Sequence, residues 1–163
     1  MTNFVEFFIA EQPGLVRYLL SQGADQYEAD DAAQAAFEEA LKAWVSIQHP
    51  KAWLYKVAWR NFLGANVRVR EHETPTEETL LDTSHRLASG NPAEFTDDEQ
   101  MILDAIKALP PMQRQVMGMT IAEFSPAEIA DFLECDSAAV RQNLRRARDN
   151  LARQLGLTRR RVQ

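Results

Sequence analysis

An all-α protein, built as two small helical domains joined by a flexible linker, is what three features of the 163-residue sequence predict. Apolar residues recur at steps of three and four over most of the chain, the pattern of helices that bury one face. No segment alternates with the two-residue period of a strand. Between Gly64 and Phe95 the helical pattern gives way to polar and breaking residues, among them Thr74, Pro75, Thr76, Ser89, Gly90, Asn91 and Pro92. A loop of that length inside one compact domain would be unusual. The domains are therefore placed at 1–67 and 96–163, with the linker at 68–95.

Four helical stretches fill the first half: Asn3 to Glu11, Pro13 to Gln22, Gln26 to Val45 and Lys51 to Val67. In the third, Ala29, Ala33, Ala36, Phe37, Ala40, Leu41 and Trp44 form one apolar stripe, and Pro50 separates it from the fourth. On the opposite side Asp31, Gln34 and Glu38 share a face. In the second half, Thr96 and Glu99 read as a capping box, followed by the stripe Ile102, Ala105, Ile106 and Leu109 and a stop at Pro110 and Pro111. Ser125 and Glu128 form a second box, with Pro126 at the first helical position, ahead of Ile129, Ala130 and Leu133. Asp136 then caps a longer helix that buries Val140, Leu144, Ala147 and Leu151, and Gly156 suits a left-handed C-terminal cap.

Charge is distributed unevenly. The net charge is −6, but Arg141 to Gln163 carries +7 and Lys51 to His72 carries +4, leaving −17 for the remainder. An acidic body with two basic tracts fits a nucleic-acid partner better than the sum suggests. No apolar run approaches the roughly 20 residues that cross a bilayer, and no signal peptide is read, so a cytoplasmic location without membrane insertion is expected. The single cysteine, Cys135, reads as a packed apolar residue. His49, His72 and His85 are scattered and no glycine-rich phosphate loop is present, so neither an enzyme nor a cofactor or metal site is expected; Glu71-His72-Glu73 is a weak metal candidate in a polar stretch.

Two motifs carry the chemistry. The helices around the Glu134 to Asp136 turn match a helix-turn-helix, with Arg141, Arg145 and Arg148 on the side away from Val140 and Leu144. In such a unit the start of the second helix meets base edges, which makes Ser137, Ala138, Arg141 and Gln142 the candidate readers. Arg145, Arg146 and Arg148 are placed to neutralise phosphate. In the fourth stretch Leu54, Val57, Ala58 and Phe62 suit the core, while Lys56, Trp59, Arg60 and Leu63 fall on the other side and combine charge with a flat ring for unstacked bases. A second core aromatic is an equal reading of Trp59 and the better one of Trp53.

Together these pieces resemble the extracytoplasmic-function sigma factors, which keep only regions 2 and 4 of the sigma-70 superfamily. Asp31-Ala32-Ala33-Gln34-Ala35-Ala36-Phe37 is similar to the motif of region 2.2. The resemblance implies that Asp31, Gln34 and Glu38 dock on the β′ clamp helices of core RNA polymerase. Trp53-Leu54-Tyr55-Lys56-Val57-Ala58 with Arg60-Asn61 resembles the segment that opens and reads the minus-ten element, which implies DNA contact by Lys56, Trp59, Arg60 and Asn61. Ala108-Leu109-Pro110-Pro111 with Gln113-Arg114, Glu128-Ile129-Ala130, Val140 and Arg146-Ala147-Arg148 resembles region 4, the minus-thirty-five reader that also touches the β flap. Promoter DNA, core polymerase and an anti-sigma factor are the implied partners.

Departures from the family pattern are Glu134 where a turn glycine is usual, Asn143 at a position often basic, and a short Val45 to Pro50 loop for the extruded base. A left-handed Glu134 would cost about 1 kcal/mol. If extended, the 32 residues from Gly64 to Phe95 could reach about 100 Å, enough for the roughly 70 Å between two readers two duplex turns apart. A sigma-like decoy for an anti-sigma factor and a stand-alone helix-turn-helix regulator remain as other readings of the same residues.

Overall fold

Every described element is a helix, and the reason differs along the chain. The computed structural model describes residues 3–71 and 95–156, with backbone alone over 66–71. The chain divides into two compact units, the first carrying the helices up to Glu71 and the second those from Phe95 onward. The linker assigned to 68–95 lies outside the described residues over 72–94, as do His72, His85 and the arginines at 159–161. Of the Glu71-His72-Glu73 candidate only the backbone of Glu71 is described.

In the first unit, α1 spans Phe4–Ser21. The Asn3 side chain accepts from the Glu6 N–H at 2.8 Å and fixes its start. The two stretches expected here are one helix, with Pro13 inside it. A proline removes one ladder bond and crowds the preceding turn, at a cost of about 3 kcal/mol. Helix continuity is maintained because Phe7 on one side of the proline and Leu15, Val16, Tyr18 and Leu19 on the other enter the same core. Pro13 itself is exposed, so water can take the carbonyl that loses its partner. At the other end Gly23 adopts φ +105, and the Ala24 N–H closes back on the Leu19 carbonyl at 3.1 Å.

The second helix, α2 (Gln26–Ala43), starts from a capping box unseen in the sequence: Asp25 accepts from the Glu28 N–H at 2.7 Å and Glu28 accepts from the Asp25 N–H at 3.1 Å. Ala29, Ala32, Ala33, Ala36 and Ala40 are all buried with Phe37, small side chains that let α3 (Pro50–Glu71) approach closely. Leu41, expected in this stripe, is 58% exposed, and the α-helix stops at Ala43 instead of Val45. A single 3-10 turn, Trp44–Ser46, follows. Trp44 is half-buried and packs on Phe7 with ring centres 5.0 Å apart, while Phe8 meets Phe37 edge-on at 4.7 Å. On α3, Leu54, Val57, Ala58 and Phe62 are buried as expected, and so is Tyr55. The helix runs beyond Gly64 to Glu71, so the break in side-chain periodicity does not mark its end.

The second unit contains α4 (Asp97–Lys107), α5 (Pro111–Ile121), α6 (Pro126–Leu133) and α7 (Ser137–Gln154). Thr96 forms the hydroxyl arm of its cap, accepting from the Glu99 N–H at 3.2 Å. Ala105, Ile106 and Leu109 are buried, but Ile102, expected in the same stripe, is 44% exposed. Pro111 begins α5, a helix the sequence did not suggest: the same proline that ends one helix has no N–H to lose in the first turn of the next. Val116, Met117 and Met119 of α5 join Ile129, Ala130, Val140, Leu144 and Ala147 in the core. Leu133 and Leu151 are half-buried. Among the described residues there are seven α-helices and no strand.

Candidate nucleic-acid interface

Caps and backbone bonds define the ends of α6 and the start of α7. Both halves of the Ser125 box form, with Ser125 accepting from the Glu128 N–H at 3.2 Å and Glu128 accepting from the Ser125 N–H at 3.1 Å. At the other end Glu134 adopts φ 55 and ψ 46, the left-handed conformation that the turn requires and glycine usually supplies. The N–H groups of Glu134 and Cys135 both donate to the Ala130 carbonyl, the latter at 3.0 Å. Cys135 is a free, half-buried thiol, less enclosed than the core position expected. Asp136 then accepts from the Ala139 N–H at 2.7 Å and starts α7. A second glutamate, Glu123, is left-handed at φ 69 in the turn that ends α5.

From that start α7 presents its expected readers. Ala138, Arg141, Gln142, Arg145, Arg146 and Arg148 are exposed, and Ser137 is half-buried. Arg141, Arg145 and Arg148 share one side of the helix, with Gln142 and Arg146 further round it. Among the described residues none of these arginines has a carboxylate within ion-pair distance. Asn143 donates to the Ala139 carbonyl at 2.9 Å and so is held by its own helix. Asn150 donates to Gln113 on α5 at 2.7 Å and accepts from Arg153, which ties the far end of α7 to the unit's core.

In the first unit Asp31, Gln34 and Glu38 lie exposed on one face of α2, and Gln34 donates to Glu38 at 3.4 Å. On α3, Lys56 and Arg60 are exposed, one turn apart. Arg60 also pairs with Glu39 of α2 at 3.4 Å, a partner 21 positions away that nothing in the sequence pattern signals. Asn61 is half-buried, and among the described residues its amide nitrogen is buried without an acceptor. Trp53 and Trp59 are both half-buried. The Trp59 ring packs on Phe62 at 5.6 Å and on Tyr18 of α1 at 6.3 Å, so the core and surface readings of this residue each describe part of it. Burial pushes the phenols of Tyr18 and Tyr55 well above the ordinary tyrosine value, with the neighbouring Tyr55 adding to the first and Glu11 to the second.

A helix-turn-helix with an arginine-bearing second helix in one unit, and a cationic and aromatic face on the other, define a helical DNA-binding protein of two units. The family model described as Sigma-70 region 2 matches residues 7–65, and that described as Sigma-70, region 4 matches residues 99–151. The chain belongs to the sigma-70 family and is a sigma factor that acts in promoter recognition. The sequence resemblance to the sigma-70 superfamily holds, with region 2 and region 4 both matched. Among solved structures it is similar to the sigma factor RpoE in complex with the anti-sigma factor NepR from Bartonella quintana, with TM-score 0.70, 22% identity, and 96% of this chain and 98% of that chain covered. It is also similar to CnrH in complex with the cytosolic domain of CnrY, with TM-score 0.62, 19% identity, and 95% and 88% covered. At these identities the likeness shows the fold. No curated protein matches the chain. No helix among the described residues is long and apolar enough to cross a membrane.

Proposed function

We propose that this sigma factor binds core RNA polymerase through Asp31, Gln34 and Glu38 at the β′ clamp helices, with its second domain also touching the β flap. In this reading residues 1–67 serve the minus-ten element, 68–95 link the domains and 96–163 serve the minus-thirty-five element. Ser137, Ala138, Arg141 and Gln142 read duplex bases in the major groove, where arginine pairs with guanine and a small side chain accommodates the thymine methyl. Arg145, Arg146 and Arg148 neutralise phosphate. Lys56, Trp59, Arg60 and Asn61 then hold unstacked bases near the Val45 to Pro50 loop, and the stacking offsets the few kcal/mol of each unstacking step.

The observation that carries this reading is the outer face of α7, where four exposed arginines stand without a carboxylate partner among the described residues. A row of unneutralised guanidinium groups on a capped helix is poised for a polyanion. The chain performs no covalent chemistry and acts in the cytoplasm, where an anti-sigma factor restrains it, by analogy with RpoE in complex with the anti-sigma factor NepR. The test is run-off transcription by core polymerase on a promoter library, with and without this protein. Transcripts from a defined promoter set that require it support the reading; a set unchanged by its presence refutes it.

A further inference from the structure

We infer that Tyr18 is a positioning residue for promoter opening: it meets no DNA, but sets the ring of Trp59. The inference rests on the reading of Trp59 given above. Tyr18 lies on α1, outside both DNA-reading helices, and is 2% exposed. Its ring sits 5.2 Å from that of Tyr55 and 6.3 Å from that of Trp59, at interplanar angles of 50° and 59°. Tyr55 and Trp59 are one turn apart on α3, and Phe62 follows with its ring 5.6 Å from Trp59.

The close approach of α1 to this ladder depends on Gly14, one turn before Tyr18. A β-carbon there would stand 3.2 Å from the Tyr55 hydroxyl oxygen, tighter than ordinary van der Waals contact. Small residue against Tyr55, then Tyr18 against Tyr55 and Trp59, is a knobs-and-notch seam of two helices with the same four-residue step. It leaves Trp59 half-buried, its ring backed by Tyr18 and Phe62. Tilted aromatic neighbours restrict the rotamers of a tryptophan that a surface position would leave free. A stacking platform is effective when it is already in place as the base leaves the helix, since ordering it afterwards would oppose capture. Tyr18 supplies that order from a helix the motif does not include.

Holoenzyme assembled with full-length Tyr18→Leu, Trp59→Ala and the double variant tests this. Opening is followed by fluorescence of 2-aminopurine placed in the minus-ten element. We expect Tyr18→Leu to slow opening about threefold to tenfold, the worth of an aromatic pair, with core-polymerase affinity within about twofold. Tyr18→Phe, which keeps the ring, restores the rate. In the Trp59→Ala background Tyr18→Leu has no further effect, because the interaction it removes is already gone. Should Tyr18→Leu fail to fold, Tyr18→Met, closer to the native length, takes its place in the cycle. Unchanged opening in the Tyr18 variant, or a loss that adds in full to that of Trp59→Ala, overturns the inference alone. Unchanged opening in Trp59→Ala overturns the reading of Trp59 and the inference with it.

Discussion

The Glu39 carboxylate on α2 lies 3.4 Å from the Arg60 guanidinium on α3, and so joins the helix of the proposed polymerase-docking face to the helix of the proposed minus-ten face. The side chains are 47% and 70% exposed, which keeps the pair weak and readily exchanged for a phosphate. Glu39→Gln should therefore change thermal stability by no more than about 0.5 kcal/mol. The same variant should raise affinity for minus-ten single strands about twofold to fivefold at low salt, with the gain fading as salt is added. Titration of labelled strands by holoenzyme at two ionic strengths measures both effects.

Arg141→Ala should weaken binding to minus-thirty-five duplex and relax base preference at one position, a loss of about 1 to 3 kcal/mol. Arg146→Ala should instead weaken all duplexes alike and flatten the dependence of log K on log salt by about one unit. Binding measured over a salt series on matched and mismatched duplexes separates the two roles.

The turn before α7 provides a stability test. Replacing left-handed Glu134 by glycine should stabilise the second unit by about 1 kcal/mol, whereas alanine, which retains a β-carbon, should not. Removing the cap in Asp136→Ala should destabilise it by about 1 kcal/mol. Denaturant unfolding of the three variants gives the sign of each change.

Alkaline pH should unfold the first unit by a defined route. Tyr18 and Tyr55 have raised values when folded, and the unfolded chain ionises near pH 10. Their contribution to stability is thus complete below about pH 10 and is lost as pH rises toward the folded values. Phenolate absorbance from these two residues should appear together with the loss of helical circular dichroism. Ionisation with helicity intact would show that the phenols are not sealed.

What the sequence made legible follows the range of the forces involved. Caps and turns act over four residues, and Ser125 with Glu128, Asp136 and Gly156 all stand where their chemistry placed them. Burial depends on partners distant in the chain and was read less well. Leu41 and Ile102 belong to apolar stripes yet face outward where no neighbour covers them, and Tyr55, in a segment read for its DNA face, is sealed against α1. Pro13 and Pro111 show the same limit: a local breaker was overruled in α1 by a shared core, and in α5 became a helix start. Of the site, the arginines of α7 and the Asp31 face were readable because exposure follows helical phase. The pairing of Arg60 with Glu39 was not, because the two meet only when α2 and α3 pack.

The double acceptor at the Ala130 carbonyl bears on how such a factor could change its target. Main-chain groups and one aspartate hold the corner, so the residues that would face bases contribute almost nothing to keeping it. Letters on that outward side can be exchanged while the posture of the helix persists, which makes the unit a natural chassis for reprogramming toward new promoters.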